Sequence, residues 1–394
     1  MTRKDFLLAA GTVGASLVLP GRLSANAEPR RIKVGVIGCG SVSGQYLPHL
    51  RRSPFVELVS TCDIVPERAQ RRAQEFGVPH HFEHIDQQLA GPRFDLLVNL
   101  TDMQEHGRLN RLALEADRHV WSEKPLANTY RDGVALLELA RRRSRRLWAA
   151  PVVVNSPQFA VMAEAVQAGR LGRVAAAHGS YGHLGPEWSA FFYERGGGCL
   201  PDLAVYNLAT LTGLLGPVRS VMGMLNILTP TRVVENRPNP IPVEAEDNAM
   251  VLLEHESGAL SHVQSGFNYF DPYGHGGAGQ TRATISVIGT KGNMHLIGYD
   301  WAPAAVEMRT DDRDSVQRLA TDPGSYVWQE GASVVAKCLA TGEEPLVTPE
   351  HALHVLEIIE AARRSQTDGR RVSLESTFPW PVLPKAVANA AALG

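Results

Sequence analysis

The stretch Ile32-Lys33-Val34-Gly35-Val36-Ile37-Gly38-Cys39-Gly40-Ser41-Val42 decides the fold. Its first six residues are an almost continuous apolar run, as expected of a strand buried on both faces. The run enters a glycine pair with a helix-compatible segment, 42–52, directly behind it. Strand, glycine turn and helix in that order make the first unit of a dinucleotide-binding fold. Gly38 permits the tight turn, and Gly40 lets the backbone approach a pyrophosphate. The amides of Ser41 and Val42 at the helix start then face the phosphate charge. The third glycine of the pattern is displaced, with Ser43 in its usual place and Gly44 after it.

A second apolar run, 56–62, ends at Asp63, at the separation expected for the acidic residue that takes the ribose hydroxyls. A carboxylate there accepts hydrogen bonds from both hydroxyls and repels a 2′-phosphate, so NAD is expected in preference to NADP. Asp63 also fits a helix N-cap ahead of Pro66-Glu67-Arg68, and the two roles are compatible. The alternation continues with a strand over 94–100, a helix over 105–116 and a strand over 119–122. Such alternation implies a parallel sheet covered on both faces, with ligand at the carboxyl ends of its strands.

Length and composition frame this core. A chain of 394 residues exceeds one ordinary core and suggests roughly two or three domains, two being the simplest division. With 39 basic against 41 acidic residues, no field favours nucleic acid, and a small, weakly charged substrate is expected. Cys39, Cys62, Cys199 and Cys338 lack the close pairing of a zinc or disulfide framework and read as free thiols. No histidine-carboxylate spacing suggests a metal site. At the N-terminus, Arg3-Lys4 precedes an apolar stretch, and Ala25-Asn26-Ala27 supplies a small-x-small cleavage pattern. Residues 1–27 are therefore expected to be an export signal, with mature protein beginning near Glu28. Thr2-Arg3-Lys4-Asp5-Phe6-Leu7 resembles the twin-arginine motif with lysine in place of the second arginine, which points to a periplasmic or otherwise exported protein. The apolar run is shorter than the roughly 20 residues that span a bilayer, so no stable membrane insertion is expected after cleavage.

At the end of the 119–122 strand stands Glu123-Lys124-Pro125, and farther on Gly196-Gly197-Gly198 leads to Asp202 and Tyr206. With Gly38-Cys39-Gly40 and Asp63 followed by Pro66-Glu67-Arg68-Ala69, these motifs resemble the glucose-fructose oxidoreductase, inositol dehydrogenase and MocA family from about Ile32 to the C-terminal region. The resemblance implies an α/β protein. A Rossmann dinucleotide-binding domain over 28–150 would precede an α+β substrate and oligomerisation domain over 151–394, built on a mostly antiparallel open sheet. Thr101 and His106 match the family's loop after its fourth strand, although Asp102 takes the usual proline position. The resemblance places Thr101, His106, Glu123, Lys124 and Asn155 with the cofactor, and implies that Lys124 also reaches the substrate. Tyr206, where many members have histidine, resembles the tyrosine-containing branches.

The residues agree chemically with that role. An ammonium beside a substrate hydroxyl stabilises the charge that develops as a proton and a hydride leave. Asp202 and Tyr206 are four apart, so on a helix beginning near Pro201 they share one face. A phenol has an ordinary pKa near 10, so the reading requires a neighbouring cation such as Lys124 to bring Tyr206 toward neutrality as a base. The plainer alternatives are that Lys124 is a surface residue before a turn and that Tyr206 packs with Leu203, Leu208 and Leu211.

In the second domain a helix over 159–168 leads to strands over 173–183, 217–228, 248–267 and 281–297, with hairpin turns at Ser257-Gly258 and Lys291-Gly292. Helices are expected over 326–340 and 350–364, the last packing back on the dinucleotide domain. His183, Trp188, Tyr193, Tyr269 and His275 lie near loops or strand ends, where aromatic faces stack on sugar carbons. The glycine-rich stretch 273–279 reads as a loop over the cleft. By resemblance the sheet carries a homo-oligomer interface. The leading expectation is hydride transfer between NAD and a hydroxyl-bearing carbon of a sugar, cyclitol or glycoside. Two alternatives stand beside it: a redox-neutral enzyme with resident NAD, exchanging hydride between sugars or cleaving glycosides by oxidation and elimination, and a sugar sensor without turnover.

Overall fold

The computed structural model describes residues 30–235, 237–272, 281–322, 324 and 326–383. The expected export signal, His275 and the stretch 273–279 lie outside the described residues.

The first sheet is parallel, in the order β3-β2-β1-β4-β5-β6. Its strands are β1 (Ile32–Ile37), β2 (Val56–Cys62), β3 (His80–Phe82), β4 (Leu96–Asn99), β5 (His119–Ser122) and β6 (Leu147–Ala149). The intervening helices are α1 (Ser43–Arg52), α2 (Pro66–Phe76), α3 (Ile85–Ala90), α4 (His106–Glu115) and α5 (Tyr130–Arg142). Val34, Val36, Leu96, Leu97, Val98, Val120 and Trp121 are fully buried, which is why these strands read as unbroken apolar runs. In register, Ile37 pairs with Asn99 and Asn99 with Ser122, so the loops after β1, β4 and β5 emerge together at one sheet edge.

The chain leaves this sheet through the cis peptide Ala150-Pro151. Then come α6 (Pro157–Gln167), β7 (Val174–Gly182), α7 (Val205–Leu215), β8 (Val218–Asn226) and the short pair β9 (Thr231–Arg232) and β10 (Ile241–Pro242). The expected long strands resolve into hairpins at the predicted turns: β11 (Asn248–His255) with β12 (Leu260–Gly266), and β13 (Ala283–Gly289) with β14 (Gly292–Tyr299). Beyond the sequence reading, β15 (Ala302–Thr310) and β16 (Gln317–Leu319) extend the sheet. After α8 (Gly331–Thr341) and α9 (Pro349–Asp368), β17 (Val372–Ser373) closes its other edge. The nine strands run β16-β15-β14-β13-β7-β12-β11-β8-β17, antiparallel except for the parallel pair β7 and β12. One helix starts later than expected: the segment read as helical from 326 makes a single 3-10 turn, Trp328–Glu330, before α8 begins.

Helices α6, α7 and α9 cover the inner face of this sheet, while α8 packs on α1, β1, β2 and β5. Helix α9 touches α5 and β6 on one side and β8 on the other, so it is shared between the two sheets. The outer face carries Met222, Met224, Met250, Leu252 and Leu260 exposed. No helix among the described residues is long and apolar enough to cross a membrane.

Candidate active site

The glycine turn fits a dinucleotide. Gly38 has φ +87°, and a Cβ there would sit 2.5 Å from the Leu100 carbonyl carbon, so backbone and space both require glycine. A Cβ at Gly40 would meet nothing within 4 Å, which leaves open backbone beside the start of α1. Exposed Ser41 and half-buried Val42 follow at that start, giving the phosphate-facing amides of such a loop. Ser43 stands in for the third glycine because its buried hydroxyl is satisfied: it donates to Gly40 O at 2.6 Å and accepts from Arg72 Nε at 3.0 Å. Asp63 closes the loop from β2, accepting from Cys39 N at 2.7 Å and Val65 N at 2.8 Å. Val65 is the N-cap of α2, so the expected cap role of Asp63 becomes a tie between two loops. Each carboxylate oxygen keeps a second lone pair for a ribose hydroxyl. Cys39 and Cys62 are buried, and burial pushes both thiols up to about 12, so they are packing residues rather than nucleophiles. All four cysteines are free and buried.

Beneath the next two loops lies a buried polar network that the sequence reading missed. Asn99 donates to Asn110 Oδ1 at 2.9 Å and accepts from the Thr101 hydroxyl at 2.7 Å. Asn110 in turn donates to Ser122 Oγ and Leu126 O. His106, expected to touch the cofactor, is buried with its ring nitrogens against Pro125 O at 2.8 Å and Thr101 O at 2.9 Å. It ties the two loops together: the neutral ring donates through its single N–H to one of these carbonyls and packs its second nitrogen against the other. Burial also lowers its pKa. The legible signal was a polar residue ending an apolar strand, Asn99. Asn155, the other expected cofactor residue, lies half-buried in a 3-10 turn after cis-Pro151.

Lys124 follows β5 and reaches across to the second domain. Its Nζ donates to Asp202 O at 2.8 Å and to Asp202 Oδ1 at 2.7 Å, with side chains only 11% and 13% exposed. The local fold differs from the expected continuous α-helix: Leu200–Ala204 form a π-turn that runs into α7. Such turns recur at functional sites because they displace backbone carbonyls from the regular ladder. Here the displaced carbonyl of Asp202 receives the ammonium. The glycine triplet before it is pinned from α9. Arg363 donates to Gly197 O at 2.6 Å and grips Glu246 at 2.7 and 3.1 Å. A Cβ on Gly198, at φ +105°, would strike Glu246 Oε1 at 2.5 Å.

Tyr206 stands in the first turn of α7, its ring centroid 5.3 Å from Lys124 Nζ and its hydroxyl without a partner among the described residues. The expected lowering of its pKa does not occur. Burial pushes the phenol well above its ordinary value, and the charges of Glu123, Asp202 and Asp300 push the same way. The physical reason is geometric: the ammonium faces the ring rather than the oxygen, and Asp202 already pairs with it. Asp300, another residue the sequence reading missed, is buried behind α7 and accepts from Asn207 at 2.7 Å and Thr210 at 2.6 Å.

Residues 32–150 match the NAD-binding Rossmann fold of an oxidoreductase family, and residues 159–295 match the C-terminal domain of the same family. The chain belongs to the Gfo/Idh/MocA oxidoreductases. D-apiose dehydrogenase of Paraburkholderia graminis is 25% identical over 368 residues, covering 88% of this chain and 91% of its own. The NAD-dependent scyllo-inositol 2-dehydrogenase of Bacillus subtilis is 25% identical over 348 residues, covering 88% and 97%. Aldose-aldose oxidoreductase of Caulobacter crescentus shares the fold with a TM-score of 0.74 at 22% identity, over 88% of this chain and 100% of that one.

NAD belongs to the Rossmann domain, residues 32–150. Of the four aromatic residues expected at the substrate and described here, His183 lies one ring away from Tyr206: the rings of Tyr206 and Tyr181 are 6.1 Å apart, and those of Tyr181 and His183 are 6.2 Å apart. Trp188 is 45% exposed and packs edge-on to Phe191 and Phe192. Tyr193 and Tyr269 serve the scaffold instead. Buried Tyr193 donates to Pro186 O at 2.8 Å beneath Arg232. Tyr269 bonds Asn248 Oδ1 at 2.7 Å and wedges its ring over Gly182 and Gly266, where any Cβ would collide with it. In their place the structure brings Tyr181, Tyr299, Trp301 and Trp328 into one aromatic cluster behind Tyr206. Among the described residues no His, Cys, Asp or Glu cluster could hold a metal ion.

Proposed function

We propose that the protein is an NAD-dependent dehydrogenase acting on a hydroxyl-bearing carbon of a sugar or cyclitol. One observation carries the reading: Lys124 at the carboxyl end of β5 is clamped by Asp202, with Tyr206 over the same ammonium. The dehydrogenases of apiose and scyllo-inositol named above support the substrate class. Bound NAD supplies the hydride acceptor for the oxidation, and NADH the donor for the reverse. The chain's own residues handle the proton and the oxygen. Lys124 presents positive charge where an alkoxide develops, and Asp202 holds that charge in place without motion during the step. Tyr206, protonated at neutral pH, is in the form that donates to a carbonyl oxygen. Carbonyl reduction therefore needs no prior ionisation, and alcohol oxidation needs the phenol to lose its proton first.

Export through residues 1–27 and assembly with a second copy across the outer face of the nine-stranded sheet are further parts of the proposal. The sheet face is supported by its exposed Met222, Met224, Met250, Leu252 and Leu260. Sequencing the mature N-terminus and measuring the solution mass test these two points.

The deciding experiment takes the purified full chain, identifies any nucleotide released on denaturation, then supplies NAD and a panel of aldoses and cyclitols. Sugar-dependent NADH formation is expected. Retained NAD with no net NADH, but hydride exchange between sugar pairs, would replace the proposal with redox-neutral turnover. Binding of sugar with no turnover of any kind would leave a sensor.

A further inference from the structure

Glu123 is a carboxylate only 7% exposed, and no ammonium or guanidinium among the described residues comes within ion-pairing distance of it. Its neighbour's ammonium is turned away to Asp202. Two neutral donors hold it instead. Lys124 N gives one bond to Oε2 at 2.9 Å, and the phenol of Tyr46 gives the other to Oε1 at 2.6 Å. Tyr46 is completely buried in α1, the helix that begins at the glycine turn, and its ring packs edge-on against Trp328 at 6.5 Å. The bond therefore crosses from the nucleotide-binding helix to the loop that carries Lys124. A buried carboxylate that loses one of two donors either draws in a proton or moves to find water, and each outcome displaces the residue beside it.

We propose that Tyr46 is a positioning residue: its phenol seats Glu123 so that Lys124 leaves β5 on the path that reaches Asp202. This inference rests on the reading of Lys124 as the catalytic lysine. It predicts that the glycine turn and the catalytic loop are mechanically joined by one side-chain bond, so that the lysine is in register with the nucleotide before substrate arrives.

The test uses ¹⁵N-lysine-labelled full-length protein. Six lysines are present in the whole chain, so the Lys124 ammonium cross-peak can be assigned as the one absent from Lys124→Arg. Held by two oxygens of Asp202, that ammonium exchanges slowly and gives a visible peak in the parent. In Tyr46→Phe, which keeps the ring against Trp328, the peak should broaden or vanish. The value of kcat should fall roughly 10- to 100-fold, as loss of one bond to a buried charge implies, while NAD affinity stays within about twofold. In a Glu123→Gln background, Tyr46→Phe should add nothing further. An unchanged Lys124 peak in Tyr46→Phe, or an equal loss in the Glu123→Gln background, overturns the proposal. Should Tyr46→Phe not fold, Glu123→Gln alone carries the test, and an unmoved peak there overturns it equally. If no sugar is turned over at all, kcat is lost as a readout but the peak still reports on Tyr46, so the two readings fail separately.

Discussion

Lys124 Nζ bonds two oxygens of a single residue, the carbonyl and Oδ1 of Asp202, at 2.8 and 2.7 Å. The two residues are 78 positions apart, one in the loop after β5 and the other in the π-turn before α7, so this bond closes the cleft between the domains at the point where chemistry is proposed. Removing either partner should have unequal effects. Lys124→Ala takes away the charge that stabilises an alkoxide and should lower kcat on the order of 10²- to 10³-fold with NAD still bound. Asp202→Asn keeps a carbonyl and a hydrogen-bond acceptor for the ammonium and should lose less, roughly 10-fold. Equal losses in the two variants would mean that Asp202 does more than hold the lysine.

The proton should be visible in the pH dependence. Burial and the charges of Glu123, Asp202 and Asp300 hold Tyr206 above its ordinary pKa, so the ionised form that oxidation requires grows with every step in pH through the neutral and mildly alkaline range. For oxidation kcat/KM should therefore rise continuously from about pH 7 to about pH 10, whereas reduction should stay flat over the same range. A plateau for oxidation below about pH 8 would show that another group accepts the proton. Tyr206→Phe should abolish the slope.

These tests fall on residues of differing legibility. The positions of Gly38, Gly40, Asp63 and Lys124 could be read from the chain because they depend on local order: a glycine turn must follow its strand, and a strand-end residue must follow its run. The long strands and their hairpins were legible for the same reason. What escaped depends on contacts distant in sequence. Nothing near Tyr46 indicates that it meets Glu123, 77 positions away, and nothing near Arg363 indicates Glu246, 117 positions away. The π-turn at Leu200–Ala204 escaped because Pro201 equally suits the first turn of an α-helix. For Tyr193 and Tyr269, positions by loops gave no sign of the hydroxyl partners that bind them to the scaffold.

Cofactor choice should follow from Asp63. Its carboxylate is bound by Cys39 N and Val65 N, so its charge is fixed at the end of β2, where a 2′-phosphate would lie. Asp63→Ser removes the charge and keeps a hydrogen-bonding oxygen. The ratio of NAD to NADP affinity should fall by at least about 10-fold, mainly through tighter NADP binding. An equal loss for both cofactors would indicate that Asp63 only braces the loops, and tight NADP binding by the parent would contradict its role outright.

Acid should unfold this protein through three histidines around the C-terminal end of α7. His351 bonds Thr212 Oγ1 at 2.7 Å, His354 accepts from Val218 N at 2.9 Å, and His255 faces Gly216 O at 2.9 Å. Burial lowers their pKa values to about 3, about 4 and about 4 from an ordinary 6.5. Between about pH 6.5 and about pH 4 the unfolded chain binds protons that the folded chain refuses, so stability must fall as pH falls through that window. Each histidine contributes a slope of up to about 1.4 kcal/mol per pH unit, which fades out above about pH 7.5. Asp300 and Asp102, raised by burial, take up their protons early in the fold and oppose this trend, whereas His106 and His119, lowered by burial, add to it. The urea midpoint should therefore be level above about pH 7.5 and drop steeply by about pH 5. His354→Gln, which still offers an acceptor to Val218 N, should lower the midpoint at neutral pH and flatten the acid slope. A midpoint that stays level down to about pH 5 would mean that these rings are hydrated in solution, and that the C-terminal end of α7 opens without unfolding the rest.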